Sequence, residues 1–500
     1  MKIKNDALLQ AENFIRVGQT SLAQELAQSL LPKVKSLNAI EKIKLGNILR
    51  RTSNFTEATR LLHKFARSEK TPKDIRDSAI LEYGTALLFL GVIEEGMEIL
   101  QKLDVNHYPS VLVNMALGYQ QEWDYTAAVP LLEKFVSSKN IDSYQRLVGE
   151  VNLQISYLSA DFSKLTWDRV QELGKEISSQ NLTLLSGVFT QIEGRFLSSQ
   201  KRYDEARTIF QKGLSKLQNV ATFDRLRLQK WLLINEFERD PQQKKLLAQL
   251  LELKAQSQQL NDSETLRECD RYIGQFESHS ELFNYCYHGT PYPAYRLYFP
   301  INQVQPTWSL SLDSDGKQII TNESQESLAI DMLDEPLIRT TKKTLTTGSC
   351  MQLLLTALTL DFYRPMTLPR FFRYAYPGQH WNPATSPIQV RQGLFRLRHW
   401  LQKSGYNLKV HENNSKYFLA AKNNTQPILI GPNKFSFDQK ISHILKKEFG
   451  DRNFSFEEFR KLSDHSLRTM QRVLSDLLQK KILIKEGETR ATRFKVNNIS

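Results

Sequence analysis

The sequence predicts a mainly α chain: an N-terminal array of repeated helix pairs, then a small antiparallel sheet, then two compact modules of three helices and a hairpin. Three observations carry this. A small residue recurs through the first half at steps of 35, 38 and 32 residues. The texture turns to proline, aromatic and β-branched residues around Tyr285. All excess positive charge is confined to the last third. Five hundred residues accommodate roughly two to four domains. The expected division is 1–280 for the repeats, 285–430 for the sheet with the first module, and 434–500 for the second.

The repeat signal is a small residue three positions after an aromatic or apolar one: Thr20 with Ala23, Phe55 with Ala58, Ile93 with Gly96, Tyr125 with Ala128 and Tyr203 with Ala206. The interval from 128 to 206 leaves room for two steps, with a degenerate copy expected near Phe162. Upstream partners recur as Gly46 and Gly84, and downstream apolar residues as Leu62, Leu100 and Leu132. Two helices approach closely only where one side is small, and large apolar residues then fill the seam to the next pair. These residues resemble the tetratricopeptide repeat over about residues 5–220, near its 34-residue period. The resemblance implies a curved scaffold that takes a protein or peptide on its concave face, or builds a homo-oligomer. Further helices are expected at 223–237, 242–259 and 263–276.

After residue 285, Tyr292–Phe299 and Trp308–Leu312 alternate with period two, as half-buried strands do. Asp313–Gly316 signals a turn, 317–321 a return strand, and 327–333 with 336–341 two more.

Helices are then expected at 348–361, 368–376 and 387–403, and a hairpin at 406–411 and 416–421. In the third helix Val390, Leu394, Leu397 and Leu401 form one apolar stripe, while Gln392, Arg396, His399 and Lys403 lie opposite and Arg391 and Arg398 on the flanks. The run Val390–Arg398 and the closing Lys416–Leu419 resemble the OmpR-type winged helix of bacterial transcription regulators, over about residues 305–421. The resemblance implies a third helix in the major groove and a hairpin wing on the neighbouring backbone. Arg391, Gln392, Arg396 and His399 become candidate groove residues, and Lys409 and Lys416 candidate phosphate contacts. Arginine suits base reading because its planar fork can address guanine bidentately. Asn413 and Asn414 stand where that family's wing usually carries glycine, and no receiver domain is recognisable upstream, so phosphorelay control is not implied.

Residues 434–500 repeat the logic. The run Ser466–Leu474, followed by Lys481–Leu483 and Arg490–Phe494, resembles the compact winged helices of many bacterial repressors. It makes Arg468, Thr469 and Arg472 groove candidates and places Arg490 and Arg493 on the wing.

Residues 345–500 hold 25 Lys and Arg against 11 Asp and Glu, a net +14, which leaves residues 1–344 at −1 of the total +13. Such asymmetry is the footprint of a polyanion-binding region. No phosphate-cradling glycine loop, His-Glu-x-x-His or Cys-x-x-Cys occurs, and the nine histidines are scattered. The chain therefore reads as non-enzymatic, with no cofactor and no metal. Cys269, Cys286 and Cys350 read as free thiols of a reducing compartment. The apolar run at 353–360 is too short to span a bilayer, and Met1–Asp6 opens no secretory signal. The expectation is thus a cytoplasmic transcriptional regulator that binds double-stranded DNA and a protein or peptide, with no membrane partner. The alternative is a non-enzymatic scaffold whose winged helices meet proteins; RNA is a third option.

Overall fold

A computed structural model describes residues 2–16, 19–180, 182–217, 222–299 and 349–423 without interruption, with shorter runs between 304 and 345 and between 426 and 496. Residues 1–430 form one compact unit and 431–500 a second. The chain is mainly helical, and its N-terminal part is a helical-repeat array.

The first unit opens with α1 (Lys2–Arg16), α2 (Thr20–Leu30), α3 (Ala39–Arg51), α4 (Phe55–Arg67), α5 (Lys73–Leu90), α6 (Ile93–Leu100), α7 (Ser110–Gln121) and α8 (Tyr125–Val136). It continues with α9 (Ser143–Ala160), α10 (Trp167–Ser179), α11 (Thr183–Ser199), α12 (Tyr203–Lys216), α13 (Thr222–Arg239), α14 (Lys244–Leu260), α15 (Ser263–Phe276) and α16 (Ser280–His288). Local chemistry sets several starts. Asn38 and Glu41, and again Asp142 and Gln145, form reciprocal capping boxes that satisfy orphan amides at the helix N-termini.

The repeat is also written in the backbone. Ser53, Gly91, Trp123, Lys201, Asn261 and Ser278 all adopt positive φ, each two residues before the helix that follows. Only one of the six is glycine, so the recurring left-handed turn leaves no residue signature. The small residues do what their spacing predicted. Ala58, Ala128 and Ala206 are fully buried. A Cβ on Gly46 would stand 2.7 Å from Leu62, and one on Gly96 would stand 2.9 Å from the Gly84 carbonyl oxygen. The copy expected near Phe162 begins at Trp167 instead, with Val170 buried in the small-residue position; a single 3-10 turn at Phe162–Lys164 lengthens the connection.

Tyr292–Phe299 is not a strand. Pro293 opens a short helix, α17 (Pro293–Arg296), and Tyr292, Tyr295 and Phe299 bury together. Their spacing is i, i+3, i+7, one face of a helical path, and it coincides locally with an alternating pattern.

A five-stranded sheet follows, in the order β2 (Gln318–Ile320), β1 (Trp308–Leu312), β7 (Gln426–Ile430), β3 (Ile330–Asp331), β4 (Leu337–Ile338). It is antiparallel except for the parallel pairing of β3 with β7. The sequence reading lacked β7, the central strand. Between β4 and β7 the chain makes α18 (Cys350–Ala357), α19 (Leu368–Ala375), α20 (Ser386–Lys403) and a hairpin of β5 (Leu408–Asn413) and β6 (Lys416–Ala421). Asn414 and Ser415 close the hairpin, both at positive φ (50° and 59°), the two-residue turn whose twist matches the strands.

No break in packing separates the repeats from this module. Leu62, Tyr83, Leu88 and Met97 share one apolar core with Leu354, Phe371, Trp381, Leu394 and Tyr417. At the contact Gly91 ends α5 at φ 84°, and a Cβ there would meet the Arg370 side chain at 2.6 Å. Only a residue without a side chain fits that approach.

In the second unit the described residues include α21 (Phe456–Arg460) and a hairpin of β8 (Leu483–Glu486) and β9 (Arg493–Val496). Leu445, Phe449, Phe454, Phe459, Leu477, Leu483 and Phe494 bury into its core.

Candidate nucleic-acid interface

The candidate surface of the first unit is built on α20. Pro387 occupies its first turn, where a missing amide costs nothing. Val390, Leu394, Leu397 and Leu401 bury on one stripe, and Gly393 lets α18 approach so closely that a Cβ would stand 2.8 Å from Leu354. The other side is therefore turned to solvent. Gln392, Arg396, His399 and Lys403 are exposed there, and Arg391 and Arg398 are exposed on its flanks. Two apolar side chains share that face: Ile388 is 55% exposed and Phe395 71%.

The hairpin lies beside this helix. Arg398 Nε donates to the Val410 carbonyl at 3.1 Å, and its guanidinium stands 3.9 Å from Glu412, so Arg398 ties helix to hairpin. Lys409, half-buried on β5, faces Ala420 across the ladder. Tyr417 is buried between Glu412 and Arg391; burial first, then Glu412, raise its hydroxyl pKa. Lys416 reaches from the hairpin to the repeats. Its ammonium donates to Asn261 Oδ1, at the left-handed end of α14, at 2.7 Å.

The first module's candidates therefore divide. Gln392, Arg396 and His399 lie together on the solvent face of α20. Arg391 and Lys416 turn toward the repeats and line a cleft of about 790 Å³ with Phe55, Phe89, Asn261 and Trp381. In the second unit Arg493 is exposed on β9 and lies 3.6 Å from Glu458. Arg468, Thr469, Arg472 and Arg490 lie outside the described residues.

Sequence reasoning missed the charged seam that fastens the module to the repeats. Arg267, on α15, and Asp361, after α18, are both fully buried and pair at 2.9 Å. The guanidinium also lies over the rings of Tyr292, Tyr363 and Tyr295, at 5.0, 5.1 and 5.7 Å. Glu264 pairs with Arg364 and, at 3.2 Å, with Arg267, and accepts from Trp123 Nε1 at 2.6 Å. Burial opposes its charge, yet Arg364 and Arg267 hold its carboxyl down at about 2. Arg373 reaches Glu94 at 2.6 Å and Glu122 at 3.2 Å. The Trp381 amide donates to Glu95 at 2.6 Å, while Tyr83 donates to the Trp381 carbonyl at 3.0 Å.

This seam revises the charge argument. Residues 345–433 carry ten basic residues against Asp361 and Glu412, the excess expected of a phosphate-facing surface. Arg364 and Arg373 are committed to carboxylates of the repeats, Arg370 stands 3.8 Å from Asp361, and Arg398 braces the hairpin. The charges of Arg364 and Arg373 are thus neutralised inside the unit, and the rest of the local excess remains.

Burial pushes the Cys269 and Cys286 thiols up to about 12. Among the described residues no cluster of His, Cys, Asp or Glu could hold a metal ion, and no helix is long and apolar enough to cross a membrane.

No protein-family model matches the chain, and no curated protein matches it. Among solved structures, the crystal structure of a Rap protein complexed with Competence and Sporulation Factor shows a loose likeness: 10% identity, 61% of this chain and 98% of that chain covered, TM-score 0.40.

Proposed function

We propose that the chain is a DNA-binding transcriptional regulator, in which an OmpR-like winged helix is carried on tetratricopeptide-like repeats that receive a protein or peptide. The observation that supports this most directly is the solvent face of α20. Gln392, Arg396 and His399 stand together there, opposite a fully buried apolar stripe and beside a two-stranded hairpin. A helix so supported presents side chains of the kinds that read base edges, and the hairpin supplies a neighbouring backbone contact. Residues 434–500 serve as a second reader through Arg468, Thr469, Arg472, Arg490 and Arg493.

The test is selection from random duplex DNA with the full chain, followed by a salt titration on the enriched sequence. A recovered motif whose affinity falls steeply with salt supports the regulator. Salt-sensitive binding without a motif reduces the reading to a nonspecific nucleic-acid binder. No binding at all overturns it.

A second reading has its own support. Ile388 and Phe395 are exposed on the same side of α20 as those polar residues, and exposed apolar patches rimmed by polar residues mark protein contacts. On that reading α20 docks a protein and the chain is a non-enzymatic scaffold.

A further inference from the structure

We propose that the cleft between the repeats and the first module binds a small amphipathic anion, and that this ligand withholds Arg391 and Lys416 from DNA. The assignment of the cleft stands on its own geometry; the withholding rests on α20 and the hairpin being a duplex-binding surface.

The cleft measures about 790 Å³, within the roughly 300–1,000 Å³ usual for small-ligand sites. Its lining mixes two kinds of chemistry. Phe55 and Phe89 stack at 5.0 Å and 7°, both half-buried, and both line it. Arg391, from α20, and Lys416, from the hairpin, line it too. Among the described residues no carboxylate lies within ion-pair distance of either. The Lys416 ammonium has three donors, and Asn261 accepts one of them as a neutral group. The single carboxylate lining the cleft is Glu122, and Arg373 already pairs with it at 3.2 Å. Two cations without a carboxylate partner, in a cleft that aromatic rings also line, favour a ligand with an anionic head and an apolar body. The planar guanidinium of Arg391 suits a carboxylate or a phosphate equally. Both cations are also candidate DNA contacts, so a ligand and a duplex compete for them.

The experiment uses the full chain carrying Phe395→Ser, which removes the exposed ring elsewhere on α20, and titrates it with 8-anilinonaphthalene-1-sulfonate by fluorescence. Saturable binding is expected at one site. Arg391→Ala with Lys416→Ala in the same background should weaken it about tenfold or more, as loss of charge-assisted bonds does, with the thermal midpoint unchanged. Arg391→Lys with Lys416→Arg should restore it. The neutral analogue N-phenyl-1-naphthylamine should not distinguish these variants. Decanoate should displace the dye, whereas inorganic phosphate at the same concentration should not; equal displacement by phosphate overturns the amphipathic assignment. Dye affinity indifferent to both cations overturns the site altogether. In a second arm the selected duplex is added. Mutual exclusion supports the withholding, and a ternary complex overturns it. Absence of duplex binding removes the withholding together with the regulator reading, and leaves the dye result to decide the cleft.

Discussion

Arg267 and Asp361 lie 94 residues apart in sequence and form an ion pair at 2.9 Å with neither side chain exposed to solvent. One belongs to the last long helix of the repeats, the other to the loop between the first two helices of the module. Breaking such a pair leaves a lone charge in a low-dielectric interior, which costs about 3–5 kcal/mol. Arg267→Met and Asp361→Leu are each expected to lower the urea midpoint sharply. The double substitution should recover most of the loss, because neither charge of the pair is then left without the other. Single variants as stable as the parent would mean that the pair is solvated.

Glu264 makes part of the stability pH-dependent. Its folded pKa is depressed to about 2, below the roughly 4.3 of a free glutamate. Its contribution is therefore fully present above pH 4.3 and lost as pH falls through that value toward 2. Thermal midpoints measured against pH should decline more steeply over this window in the parent than in Glu264→Gln. Parallel curves would count against the paired carboxylate.

The repeat seam discriminates between glycines. Gly96→Ala places a Cβ 2.9 Å from the Gly84 carbonyl, a backbone atom that cannot swing away, and should cost about 1–3 kcal/mol as overpacking. Gly274→Ala meets nothing nearer than Leu282 Cβ at 3.6 Å and should be neutral or slightly stabilising. Chemical denaturation of both variants checks the contrast.

On the regulator reading, Arg396→Ala should relax preference at one base pair by about 1–3 kcal/mol, measured by competition among single-base variants of the selected site. Phe395→Ser separates the second reading: it should abolish capture of a protein partner if α20 docks proteins, and leave salt-dependent duplex affinity nearly intact otherwise.

The Lys416 tether gives a sharper measurement. Asn261→Ala removes its acceptor, so Lys416 becomes available to a phosphate. The slope of log affinity against log salt should steepen by about 0.9 in fluorescence anisotropy. An unchanged slope would place Lys416 outside the duplex contact.

What was legible in the sequence was local. The small-residue steps marked the helix pairs because close packing constrains residue size, and the stripe Val390, Leu394, Leu397, Leu401 marked α20 because its period is that of a helix. Tyr292, Tyr295 and Phe299 misled because helical and alternating patterns overlap in so short a run. β7 was missed because nothing near Gln426–Ile430 announces partners more than a hundred residues upstream. The seam was illegible for the same reason: composition counts Arg364 and Arg373 as basic but says nothing of Glu264, Glu94 and Glu122, which neutralise them. The third helix of the second module, with Arg468, Thr469 and Arg472, lies outside the described residues.

The placement of β7 has a consequence for how the chain is made. Leu312 pairs with Gln426 and Trp308 with Ile430, so β1 leaves the ribosome more than a hundred residues before its central partner. Repeats can stack as they emerge, since each needs only its neighbour. The sheet has no such freedom. Its middle strand is the last to be synthesised, and long-range pairing of this kind is slow because loop closure precedes any gain. Until residue 430 is available, β1 and β3 expose strand edges that invite pairing with other chains. A nascent chain stopped between residues 345 and 425 therefore carries β1 and β3 without the strand that joins them.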